Sequence, residues 1–138
     1  MTTKTENVKV IDGENAILGR LASYVAKQAL KGENIVILNC EKIIITGNKA
    51  NIKEKYLQMK RRVGTIQKGP KVSLSVDKLV KRTIRGMLPE HRWGRGRDSM
   101  KRIRCYIGTP AEYSNVKKIV AGKEKTNKYI IIKEISKI

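Results

Sequence analysis

The chain contains no phenylalanine, one histidine, one tryptophan and two cysteines, and only 12 of its 138 residues are acidic. Each shortage excludes something. With aromatics at 4%, the core must be built from aliphatic side chains. Cys40 and Cys105 allow one disulfide at most, so the chain has no disulfide framework. Two free, buried thiols are expected of a protein kept in a reducing compartment. One His and two scattered Cys cannot fill a four-ligand zinc site without carboxylate help, and no metal is expected. No stretch of about 18 uncharged apolar residues occurs, which argues against a membrane span. The opening MTTKTENVKV lacks the apolar run of about 7–15 residues of a secretory signal.

What is present is a large excess of cations over an adequate apolar fraction. Lys and Arg number 31, for a formal charge of +19, while 40% of residues are hydrophobic, enough for a real core. The length suits a single domain over residues 1–138, with a globular core at about 8–113 and a basic extension over 114–138. The charge is uneven. Residues 60–104 hold fifteen Lys and Arg against three Asp and Glu, whereas residues 1–59 hold nine against six. Such a concentration is the electrostatic footprint of nucleic-acid binding.

Periodicity supplies an outline. Val8–Ile11 reads as a strand closed by Asp12-Gly13. Leu18, Leu21, Ala22, Val25, Ala26, Ala29 and Leu30 then recur at helical spacing, with Asn15 as the expected N-cap and Gly32 as a left-handed C-terminal cap. Asn34–Leu38 is a strand apolar on both faces, of the kind covered by helices on each side. Strand, helix, strand makes a βαβ unit.

Ile43–Ile45 is a further short strand, and a polar helix is expected from about Asn48 to Arg62 with Ile52, Tyr56 and Met59 as its buried line. Residues 64–71 read as a flexible basic loop. The next stripe runs Val76, Leu79, Val80, Thr83, Ile84, Met87, Leu88, with Lys78, Lys81, Arg82 and Arg85 opposite and Pro89 ending the helix. Core packing is the expected role of that stripe. The Gly/Arg segment 90–98 is expected to supply cations, ordered only when nucleic acid neutralises them, since glycine lets backbone approach a surface while guanidinium groups fork onto phosphates. Trp93 either stacks on a base or caps the core. Arg102–Ile107 reads as a strand, residues 117–128 as solvated and mobile, and Lys133–Ile138 as an amphipathic end.

Catalytic patterns fail one by one. Gly64 to Gly69 has the glycine spacing of a phosphate loop, but Pro70 stands where its Lys must be. Gly94-Arg95-Gly96 begins like a dinucleotide fingerprint yet lacks the last glycine and the leading strand. His91 is the only imidazole and sits among arginines, with nothing placing a nucleophile beside it. No enzyme, cofactor or small-molecule substrate is expected.

Several separated motifs carry a resemblance. They are Arg85-Gly86-Met87-Leu88-Pro89, then Arg95-Gly96 and Tyr106-Ile107-Gly108, preceded by Asp12 with Leu18-Gly19-Arg20-Leu21-Ala22-Ser23, and Thr46-Gly47-Asn48-Lys49 with Lys53 and Tyr56. In that order, over about Val10 to Tyr113, they resemble the universal large-subunit ribosomal protein family numbered thirteen, in its archaeal/eukaryotic-type branch. Cys105 departs from the pattern, standing where an aliphatic residue is more usual. The resemblance implies an α/β fold, a three-layer α/β/α domain around a mostly parallel sheet of about four strands. It also implies a non-enzymatic, cytoplasmic role: binding large-subunit ribosomal RNA, beside neighbouring large-subunit ribosomal proteins, and stabilising the RNA fold.

Contacts are expected to be dominated by phosphates, because the basic segment has few aromatics for stacking. The candidate RNA-binding residues are Lys49, Lys53, Lys60, Arg61, Arg62, Lys68, Lys71, Arg82, Arg85, His91, Arg92, Trp93, Arg95, Arg97, Lys101 and Arg102. A free DNA- or RNA-binding regulator shares the charge, but no helix-turn-helix or basic zipper is evident. An RNA-modifying enzyme would need a cofactor loop that the sequence does not display.

Overall fold

The structure is a computed structural model that describes residues 8–62, 64, 69–122 and 128–138. Its centre is a parallel sheet. Strand β1 (Val8–Asp12) pairs with β2 (Asn34–Leu38), setting Val10 against Val36 and Ile11 against Ile37. Strand β4 (Ile103–Cys105) flanks β2 and β5 (Ile119–Val120) flanks β1, giving the order β4-β2-β1-β5 with every pairing parallel.

Alternation along the strands divides the apolar residues between two faces. Ile11, Ile35, Ile37 and Ile103 share one cluster with helices α1 (Leu18–Leu30) and α3 (Val76–Gly86). Val10, Val36 and Leu38 turn the other way and pack with Tyr113, with Val8 and Tyr106 at the margin. The fold is therefore three layers deep, as the sequence leads one to expect. The third layer is thin: a 3-10 turn, Ala111–Tyr113, whose Tyr113 ring lies 5.9 Å from that of Tyr106.

Helix α1 packs closely because Ala22, Ala26 and Ala29 face inward beside Leu21 and Val25. It ends as its sequence indicates: Gly32 is left-handed at φ 95°, its N–H donates to the Ala29 carbonyl at 3.1 Å, and the Glu33 N–H reaches Gln28 at 3.3 Å. Its start differs. Asn15 is not the N-cap but a left-handed turn residue at φ 57°. The capping position falls to Ile17, without a side-chain cap. Ile17 forms a parallel bridge with Ile44 and donates to the Gly122 carbonyl at 3.0 Å, which keeps the chain extended until Leu18.

Helix α2 (Lys49–Arg61) is capped by the Asn48 side chain, which accepts from the Ala50 N–H at 3.0 Å. It buries no residue fully. Ile52, Tyr56 and Met59 are half-buried, so the expected buried line lies on the core's surface. Helix α3 buries Val76, Leu79, Val80 and Ile84 but stops at Gly86, earlier than its stripe suggests. Met87 is 44% exposed and Leu88 half-buried.

The Gly/Arg segment, expected as a poorly ordered supply of cations, is helical. Gly94–Lys101 forms α4, with Gly96 and Ser99 buried and the Ser99 hydroxyl donating to the Arg95 carbonyl at 2.8 Å. Packing overrides glycine's weak helix propensity here, because only a residue without Cβ fits against the Pro89 and Glu90 carbonyls. The following strand is confined to Ile103–Cys105.

The core also runs past Tyr113. Strand β3 (Ile44–Thr46) pairs antiparallel with β6 (Tyr129–Ile131), which leads into α5 (Ile132–Ser136). Ile130, Ile132 and Ile135 are fully buried in the main cluster. Part of the segment read as solvated, Ile119–Val120, is strand β5. Residues 123–127 of that segment lie outside the described residues, as do 65–68 of the basic loop, including Lys68. Both cysteines are free; Cys40 is buried as expected, whereas Cys105 is only half-buried.

Candidate nucleic-acid interface

Burying the apolar stripe of α3 forces its other face outward. Lys78, Lys81, Arg82 and Arg85 fall there at i, i+3, i+4 and i+7, one continuous row of cations. With Ser73 and Met100 of α4 they line a cleft of about 240 Å³. Like charges at this spacing repel one another, so the row is destabilised until an anion lies over it. The acid on the first turn, Asp77, is already engaged: the Ser75 hydroxyl donates to it, and this bond, more than the Lys78 N–H or the nearby Lys81, holds its carboxyl below the usual range.

A second group gathers at the β4 edge of the sheet. Lys101, Arg102 and Arg104, with Asn34, Val36 and Tyr113 among its other walls, border a cavity of about 290 Å³. Arg102 is half-buried there, and its guanidinium donates to the Ala29 carbonyl at the end of α1 at 3.5 Å. That contact gives it a structural share in addition to its charge. A third and larger hollow, about 640 Å³, lies at the start of α2, where Lys49 and Lys128 meet Tyr129 and Glu134. Lys53 pairs with Glu134 at 3.7 Å on the same side.

The other candidates are dispersed. Lys60 donates to a backbone oxygen of Ile138 at 2.8 Å, tying α2 to the residues after α5. Arg61, Arg62, Lys71, Arg92, Arg95 and Arg97 are exposed and border none of these three hollows. His91 lies 3.5 Å from the Glu90 carboxylate, which also accepts the Arg92 N–H at 3.3 Å. Trp93 is 70% exposed, which removes it from the core and leaves an indole face open to solvent.

Lys78, Lys81, Arg104 and Lys128 belong to these hollows but were not among the expected contacts. The signal for the first two was the helical spacing they share with Arg82 and Arg85. For Arg104 it was strand alternation, since Ile103 points into the core and its neighbour must point out. Among the described residues no cluster of three His, Cys, Asp or Glu side chains is placed to hold a metal ion, and no helix is long and apolar enough to cross a membrane.

These features define a class first: a small parallel α/β protein whose surface hollows are lined with lysine and arginine. The profile of the family Ribosomal protein L13 matches residues 6–112, and the chain belongs to that family. It is similar to Large ribosomal subunit protein uL13 of Methanococcoides burtonii, 43% identical over 133 residues that cover 93% of this chain and 94% of the relative. The protein of the same name from Methanopyrus kandleri is 54% identical over 105 residues, 76% of this chain and 65% of its own length. The Caenorhabditis elegans one is 42% identical, over 81% of this chain and 56% of the relative. Archaeal and animal relatives together match the branch anticipated from the motifs. The family is one of structural ribosomal proteins, not enzymes.

Proposed function

We propose that this protein is a structural constituent of the large ribosomal subunit in the cytoplasm, binding ribosomal RNA chiefly through phosphates. The observation that carries this reading is the row Lys78, Lys81, Arg82, Arg85 beside Met100, four cations on one rigid helical face. A helix fixed by its buried side holds cations at set spacings, which suits a folded RNA backbone better than a flexible tail does. Lys101 with Arg104, and Lys49 with Lys128, supply further cations at separate places, so the protein bridges RNA segments instead of reading one. The exposed Trp93 adds a stacking surface for an unpaired base or a neighbouring ribosomal protein.

Sedimentation of a native lysate through sucrose gradients tests this. The chain is expected to stay in the large-subunit peak through a high-salt wash. Recovery in light fractions, or with chromosomal DNA, would favour a free regulator instead.

A further inference from the structure

Cys40 and Cys105 are 65 positions apart in sequence, yet the fold sets them together. Cys105 ends β4, where its register partner on β2 is Ile37. Ile37 is also the residue whose carbonyl accepts the Cys40 thiol, at 3.7 Å. The Cys40 N–H in turn donates to the carbonyl of Tyr106, directly after Cys105, at 3.2 Å. These contacts bring the two thiols to the same end of β2 and β4. They differ in access: Cys40 is fully buried, and Cys105 is half-exposed at the sheet edge.

We infer that Cys40 and Cys105 form a reversible dithiol–disulfide pair, a modification site with a partly buried attacking cysteine and a fully buried resolving one. The co-reactant is a low-molecular-weight disulfide. The Cys105 thiolate attacks one of its sulfurs, the reagent's S–S bond breaks and one reagent thiol leaves. The Cys40 sulfur then attacks the Cys105 sulfur of the mixed disulfide and displaces the second reagent thiol. Two protein thiols are oxidised, one disulfide is reduced to two thiols, and both protein protons end on the released thiols. The neighbouring Cys105 thiol and burial both push the Cys40 thiol up, so Cys105 reacts first, and Cys40 gives up its proton to the departing reagent thiolate as it attacks. The cross-link closes a loop holding α2, α3 and α4.

The test uses the folded full chain incubated with oxidised glutathione, quenched in acid, alkylated and mapped by mass spectrometry. The expected product is an intramolecular Cys40–Cys105 disulfide, lighter than the reduced chain by two hydrogen atoms, carrying no glutathione and reversed by dithiothreitol. Cys40→Ser is expected to accumulate a stable glutathione adduct on Cys105. Two alkylatable thiols in the wild-type chain after treatment, or a lasting adduct on wild-type Cys105, would overturn the inference, and neither readout depends on the variant folding.

Discussion

Gly96 lies against Pro89 so closely that a Cβ built on it would overlap the Pro89 and Glu90 carbonyl oxygens and approach the Pro89 carbonyl carbon to 2.8 Å. Helix α4 is seated on the turn after α3 through this contact. Gly96→Ala is expected to cost about 1–3 kcal/mol of stability in urea unfolding, because backbone cannot move aside as a flexible side chain can. Gly86 is the internal control: nothing lies within 4 Å of its Cβ position. Gly86→Ala is expected to stabilise by up to about 1 kcal/mol through helix propensity. A Gly96→Ala protein as stable as the wild type would contradict this seating.

The chain's last residues carry core weight. Ile132 and Ile135 are fully buried, so Ile132→Ala is expected to cost about 2–5 kcal/mol. Leu88 packs half-buried on the same cluster, and Leu88→Ala should cost less than Ile132→Ala. Equal effects at the two sites would mean that α5 is not packed as described.

Asp77 gives the stability a pH dependence of known sign. Its folded-state pKa lies below the ordinary 3.8, chiefly through the Ser75 hydroxyl. Above the ordinary value the carboxylate's stabilisation is fully present, and it is lost as pH falls through the lowered folded value. Ser75→Ala is expected to shrink the wild-type loss of stability between about pH 4 and pH 2, as read from urea midpoints. An unchanged acid limb in the variant would remove Ser75 as the cause.

Trp93, the sole tryptophan, is a ready optical probe. At 70% exposure it is expected to emit like indole in water and to be fully open to acrylamide quenching. Trp93→Ala should change stability by no more than about 0.5 kcal/mol. Blue-shifted, quencher-resistant emission in the free protein would place the ring in a packed site instead.

How much of this was legible in the sequence depended on whether local pattern or distant contact decided each element. The β1-α1-β2 unit could be read because Val10, Ile11 and Ile35–Leu38 form dense β-branched runs around an unbroken helical stripe. Helix α4 could not, since Gly94 and Gly96 are poor helix formers and the deciding contact is with Pro89 and Glu90, outside the helix. Asn15 has the residue type of a cap, but the pairing of Ile17 with Ile44 across the fold moves the helix start past it. Strands β5 and β6 have two and three residues, too short to show a period, and their partners are far off in sequence. The candidate interface was half visible. Lys78 and Lys81 were legible on the same face of α3 as Arg82 and Arg85, but only the two arginines were counted as contacts.

The most direct test is the salt dependence of binding to large-subunit ribosomal RNA, comparing the wild type with a variant carrying Gln at Lys78, Lys81, Arg82 and Arg85. All four side chains point away from the buried stripe, so the variant should fold normally by circular dichroism. If this face of α3 lies on the RNA backbone, the variant's log K falls less steeply against log[salt], the slope shrinking by somewhat under one for each phosphate that is no longer neutralised. An unchanged slope in a folded variant would contradict the central claim and take this face of α3 off the RNA.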